Sequence, residues 1–334
     1  MKKMVMLFAG IMLLLALSAC GQKSQSDVVS ELNEKLGEMK GYKANAKMTL
    51  KMGTEPQVYN VEIWHKDPSF YRVNLKNEEK DQSQMILKND DGVYVLTPAL
   101  NKSFKFQSEW PENSSQAYLF ESLVKDITED KSATYKETDK HYVFETKTRY
   151  QNNKMLPYQE ITINKKDLSP VSVKVMDPDR TALVLVEFSK VKFDTSFDKD
   201  SFDMKKNMTS AQLEAPVMAE VQNEGFAVKY PENIGDMNLT EEKEITTEKG
   251  ERVVLTYEGT KSFTLVQEKA EVVQTSVSTN VNGEPVDLGY TVGAMTGNTI
   301  AWTFEGVDYM LASKDLSQEE MIEVARSVGE DPVK

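Results

Sequence analysis

The chain has 334 residues, 40 Lys and Arg against 53 Asp and Glu, a formal charge of -13 and a single cysteine, Cys20. That length accommodates two domains of about 150 residues each. With no cluster of basic residues to displace phosphate counterions, nucleic-acid binding is excluded, and an acidic surface opposes adhesion to anionic lipid. One cysteine excludes a disulfide framework.

The N-terminus carries Lys2-Lys3, an apolar run from Met4 to Ala16, and then Leu17-Ser18-Ala19-Cys20-Gly21. A basic start, a short apolar core and small residues before a cleavage point describe a secretory signal peptide over residues 1–19. A cysteine directly after Leu-Ser-Ala matches the bacterial lipobox, in which the thiol takes a diacylglycerol and becomes the first residue of the mature protein. The alternatives are a plain signal peptide with an incidental cysteine, or an uncleaved anchor. The apolar run is shorter than the ~20 residues that span a bilayer. Residues 20–26 then read as the lipidated Cys20 and a small, polar tether.

A helix is expected over Asp27–Lys40, with Val29, Leu32, Leu36 and Met39 on one face, Ser26 or Asp27 as cap and Gly41 as terminator. The period then changes to two. Tyr42, Ala44, Ala46, Met48, Leu50 and Met52 alternate with Lys43, Asn45, Lys47, Thr49 and Lys51, which makes a strand with one apolar and one solvated face. The pattern recurs in Tyr59-Val61-Ile63, Tyr71-Val73-Leu75, Met85-Leu87, Tyr94-Leu96 and Phe104-Phe106, punctuated by turn chemistry at Asn89–Gly92 and Thr97-Pro98. A second helix is expected over Ser114–Glu129, with Leu119, Phe120, Leu123, Val124 and Ile127 buried. The preceding Trp110-Pro111 segment reads as a rim or as a staple for that helix, with Asn113 or Ser114 as its cap. Strands resume at Thr134–Glu137, His141–Tyr150, Tyr158–Asn164, Val171–Met176 and Thr181–Phe193, joined by short turns. About eleven antiparallel strands in one sheet must curl, because twist accumulates and edges invite pairing.

From Met208 the texture changes, and a boundary is placed between residues 27–207 and 208–334. The second unit is expected to hold strands at Arg252–Tyr257, Ser262–Glu268, Ile300–Phe304 and Tyr309–Ala312. A helix over Ser317–Val328 follows, with a Ser317/Glu320 capping box and Gly329 as C-cap.

Phe70-Tyr71-Arg72-Val73, Asp91–Pro98, Asn101–Phe104 and Phe193–Phe197 with Phe202-Asp203 follow one another in the order and spacing of a known family. Over about Asp27 to Lys206 the chain resembles the LolA-like superfamily. The resemblance implies an α+β fold in which an incomplete antiparallel β-barrel is covered by helices, followed by a smaller α+β domain. Gly225-Phe226, Tyr230-Pro231, Trp302, Tyr309 and the Leu316–Ser327 helix resemble the domain of unassigned function that follows such barrels in spore-forming Gram-positive bacteria. Together they are similar to the YdcC-type sporulation lipoproteins of bacilli. The family's shuttle arginine, which gates the helix lid, aligns loosely with Arg72; the plainer reading of Arg72 is a solvated charge on an outward strand face. A chain carrying its own lipid resembles the anchored, partner-binding relatives such as the RseB type more than a freely diffusing carrier.

No catalytic constellation stands out. His65 and His141 lack metal-ligand spacing, no nucleophile elbow or phosphate loop is present, and no cofactor or metal is expected. Met48, Leu50, Tyr71, Val73, Tyr94, Leu96, Phe104, Phe144 and Ile163 are the candidate lining of an apolar cavity. Met52, Phe106, Ile161, Leu183 and Leu185 are expected on the same face. Each reads equally as core packing. The expectation is a non-enzymatic lipoprotein on the extracytoplasmic face of the cell membrane that binds a protein partner or a lipid in sporulation or the spore envelope. The alternative is a lipid or lipoprotein carrier.

Overall fold

In the computed structural model the described residues are 23–52, 56–79, 83–111, 115–150, 154–214, 226–232, 234–247, 250–272 and 278–329. The leader, Cys20, Asn113 and Ser114 lie outside them. The first element among the described residues is helix α1 (Gln25–Glu38). It starts two residues before the expected position because Ser24 caps it, in a reciprocal box with Asp27. The polar run expected to be a tether is therefore partly helix. Val28 and Leu32 are fully buried, and Val29 and Leu36 pack beside them.

Eleven strands follow in antiparallel succession: β1 (Gly41–Leu50), β2 (Gln57–Lys66), β3 (Phe70–Asn77), β4 (Ser83–Asn89), β5 (Gly92–Thr97), β6 (Lys102–Phe106), β7 (Thr134–Glu137), β8 (His141–Lys147), β9 (Tyr158–Asn164), β10 (Pro170–Met176) and β11 (Ala182–Phe193). Their order in the sheet is β6-β5-β4-β3-β2-β1-β11-β10-β9-β8-β7, and its two ends do not pair, so the barrel is open. Gly41 does not end α1. Its place is set by the neighbouring strand, since a Cβ there would sit 2.5 Å from the main-chain oxygen of His65.

Helix α2 (Phe120–Glu129) is shorter than the expected helix. Residues 115–119 are buried but not helical, because their polar groups are used across the turn: the Gln116 N–H donates to Ser122 Oγ (2.8 Å) and Ser115 Oγ donates to Asp126 Oδ2 (2.8 Å). The helix N-terminus is capped from a distance, with the Phe120 N–H donating to the Tyr42 hydroxyl (3.1 Å).

Helix α3 (Met204–Glu214) runs across the position where the two units were divided. Phe202 and Met208 pack on the outer face of β4 and β5 against Met85, Leu87, Tyr94 and Leu96. Tyr94 and Leu96 therefore do not join the expected cavity face; Val93 and Val95 do. A strand buried on both sides shows no alternation from which its inner face can be read. In β11 the sequence Leu183-Val184-Leu185-Val186 is apolar throughout and hides its parity: Val184 and Val186 are buried in the core, whereas Leu185 is half-buried outside it.

The C-terminal unit is a seven-stranded sheet containing β12 (Asn238–Thr247), β13 (Gly250–Glu258), β14 (Ser262–Lys269), β16 (Glu284–Asp287), β17 (Val292–Met295), β18 (Thr299–Phe304) and β19 (Val307–Ala312), in the order β12-β13-β14-β19-β18-β17-β16. Helix α4 (Gln318–Ser327), with the expected Ser317/Glu320 capping box, buries Met321, Val324 and Ala325 against one face. Gly329 serves packing, because a Cβ there would lie 2.2 Å from the Tyr290 ring. The remaining strand, β15 (Thr279–Val281), leaves this unit and pairs in parallel with β6, as a twelfth strand of the first sheet. Among the described residues no helix is long and apolar enough to cross a membrane.

Candidate functional site at the mouth of the open barrel

The concave face of the first sheet is a continuous apolar surface. Met48, Leu50, Tyr71, Val73, Phe144 and Ile163 are buried in one cluster, with Phe104 partly buried at its margin. Helix α1 contributes Val28 and Leu32 to it, and α2 contributes Phe120, Leu123, Val124 and Ile127.

Two polar devices hold α2 down. At its first turn, Glu121 lies 3.1 Å from His65 Nε2 and accepts from the Tyr42 hydroxyl at 3.1 Å. Burial pushes the His65 imidazole down to about 4, so it is neutral at pH 7. His65 continues the apolar series Tyr59-Val61-Ile63 on the inner face of β2, and that parity was the available sign of its burial. Further along, fully buried Asp126 accepts from Ser115, from Gln159 Nε2 (2.6 Å) and from the Arg149 guanidinium. Burial outweighs these partners and raises the Asp126 carboxyl above the ordinary range.

The mouth is filled by the chain itself. Val292 and Ala294 of β17 join the barrel's own core cluster. The Gln84 side chain grips Val292 as a strand would, accepting from its N–H (2.7 Å) and donating to its carbonyl (3.3 Å). The Tyr59 hydroxyl lies 3.0 Å from the Tyr290 carbonyl, and burial lifts it to about 12. Lys102 pairs with Asp308 (2.5 Å), and Ser103 bonds Ser278 (2.8 Å) beside β15. Among the described residues the mouth keeps a void of about 70 Å³ between Met48, Tyr59, Leu75, Leu100, Tyr118 and Tyr290, and one of about 20 Å³ where Met48 and Leu50 meet Gly289 and Arg326. Tyr71, Val73, Phe144 and Ile163 are packed solid. Of the residues that shape the mouth, Gln84 and Tyr290 are not marked locally for this contact, because Gln84 meets Val292 and Tyr290 meets Tyr59 more than two hundred positions away; Tyr118 and Asp287 line the same void.

Arg72 is on the outer face, stacked 4.1 Å over the Trp64 ring and paired with Glu62 at 3.2 Å. It does not touch α2, so it has no part in holding that helix closed. His141 begins β8 as a half-buried strand residue.

The sequence profile described as sporulation protein YdcC-like matches residues 1–202. Over 328 residues the chain is 59% identical to the sporulation protein YdcC of Bacillus subtilis (strain 168), covering 98% of this chain and 97% of that one. The chain belongs to the YdcC-like family of sporulation proteins. Among solved structures, the Pseudomonas aeruginosa MucA/MucB complex is similar at 12% identity and a TM-score of 0.33, over 90% of this chain and 97% of that one. A LolA superfamily protein from Nitrosomonas europaea is similar at 11% identity and a TM-score of 0.31, over 55% and 100%.

Proposed function

We propose that this member of the family is a non-enzymatic lipoprotein, anchored through Cys20 on the extracytoplasmic face of the cell membrane, that binds a protein partner during sporulation or in the spore envelope. The observation that carries the partner reading is the occupied mouth of the barrel. Pockets for small organic ligands measure about 300–1,000 Å³, whereas the larger void here is about 70 Å³, room for a few waters. An acyl chain would have to displace the family member's own C-terminal unit. That argues against the carrier alternative and leaves the outer surfaces for recognition. The anchor reading is supported by the Leu-Ser-Ala-Cys lipobox, since a dually acylated cysteine holds a protein stably at a membrane.

Three measurements test this. Cys20→Ala is expected to move the protein from the membrane fraction to the medium; unchanged membrane retention would remove the anchor. Cross-linking in sporulating cells is expected to recover a specific protein, and native mass spectrometry of the soluble region is expected to find no bound lipid. A stoichiometric lipid in place of a protein would instead establish the carrier.

A further inference from the structure

We propose that β12, the end strand of the second sheet, takes an extended basic segment of a partner protein as an added strand. This rests on the partner reading given above and names the surface that serves it. Among the described residues β12 is ten residues long and pairs with β13 alone. Strands of about five or six residues are usual, and open edges are commonly kept short, broken by proline or covered. β12 holds no proline, and Asn238 to Thr246 are all exposed. One edge of it is the ladder to β13. The other presents a row of main-chain N–H and C=O groups, the template on which an incoming strand pairs.

Charge decides what can pair there. β12 carries Glu241, Glu242 and Glu244 against Lys243. Glu242 and Glu244 stand opposite Leu255 and Val253, which are buried in the second core, so both carboxylates lie on the α4 side of the sheet. Glu251, opposite Thr246, lies on that side too. Tyr230 is exposed there and donates its hydroxyl to Glu242 at 3.0 Å. Arg252 is paired with Glu268 at 2.7 Å, and among the described residues no Lys or Arg pairs with Glu241, Glu242, Glu244 or Glu251. Like charges directly opposite one another destabilise a strand pair, and opposite charges stabilise it. A second copy of β12 would set Glu against Glu, so this edge opposes self-association. A strand with Lys or Arg at alternate positions meets Glu242 and Glu244 in turn and places a cation beside the Tyr230 ring.

The probe is a ten-residue peptide alternating lysine with valine and threonine, added to the full-length protein in neutral detergent. Hydrogen exchange is expected to slow over residues 238–247 and not in the first sheet. N-methylation of one alternate set of peptide amides is expected to abolish this protection, and N-methylation of the other set to leave it. An added strand turns only one of its edges to β12. Reversing two exposed charges, Glu242→Lys with Glu244→Lys, is expected to weaken the peptide about tenfold, because two attractive cross-strand pairs become repulsive. Absent protection, or equal protection by both methylated peptides, would overturn the added strand. A dimer protected over the same residues without peptide would assign the edge to a second copy and overturn it equally. Cross-linking in sporulating cells separates the two readings. A partner lost only from the doubly reversed variant supports the edge, and one recovered equally from native and variant protein removes the edge alone. No partner from either removes the partner reading and the edge with it.

Discussion

His65 shows how one side chain ties acidity to the closure of the barrel. It is 3% exposed, tilted against Tyr71 with ring centroids 4.6 Å apart, and set beside Glu121 in the first turn of α2. Its folded value of about 4 lies below the ordinary 6.5, and the cause is burial. Between those values the unfolded chain binds the proton and the folded chain does not, so stability rises with pH through that window. The contribution is fully present above about 6.5 and is lost as pH falls toward 4. At about 1.4 kcal/mol per unit, this amounts to a few kcal/mol across the window. Urea unfolding of the first unit should therefore weaken from pH 7 to pH 4. His65→Phe should flatten that slope while keeping the aromatic contact with Tyr71. An unchanged slope in the variant would assign the acid sensitivity to other groups.

Among the elements, α2 depends most on partners distant in sequence. Its apolar stripe over Leu119–Ile127 was legible from spacing, but its start was not, because the Tyr42 hydroxyl supplies the cap from β1. The same logic explains β12. Its residues Glu241, Glu242, Lys243 and Glu244 are exposed, so the strand has no apolar alternation and is fixed only by its ladder to β13. The outward burial of Tyr94 and Leu96 was hidden because α3 covers the outer side of β5. By contrast, β1, β2 and β3 each bury one face, and their inner residues were readable one by one. At the other end of α2, Asp126 gathers Ser115, Gln159 and Arg149 in a buried site. Asp126→Ala removes the acceptor shared by Ser115, Gln159 and Arg149, although Arg149 keeps its contact with Glu129 at 3.7 Å, and losing hydrogen bonds to a buried charged group costs about 1.5–3 kcal/mol. Asp126→Asn retains an acceptor oxygen and should cost less. Urea midpoints at constant m-value measure both, and equal losses for the two variants would mean that volume rather than hydrogen bonding fixes the site.

At the scale of the whole molecule, two cores are joined at the barrel mouth, where Val292 and Ala294 of the second unit enter the first. The join combines apolar burial with a few directed bonds. Gln84 satisfies both main-chain groups of Val292, and Lys102 holds Asp308 at the base of β19. A buried main-chain group left without its partner costs about 1–3 kcal/mol. Gln84→Ala orphans both groups of Val292 at once, whereas Lys102→Ala breaks a part-exposed pair worth about 1 kcal/mol or less. The double variant should loosen the plug without unfolding either sheet, since neither residue belongs to a hydrophobic cluster. Calorimetry is then expected to resolve two transitions for the variant and a single one for the native protein. An apolar dye should bind the uncovered concave face, lined by Met48, Leu50 and Tyr59. Native mass spectrometry of that variant tests whether the plug excludes lipid. If it acquires a fatty acid that the native protein excludes, the plug is what separates this chain from an acyl carrier. If it stays empty and monophasic, apolar burial alone holds the two units together, and the directed bonds only set their register.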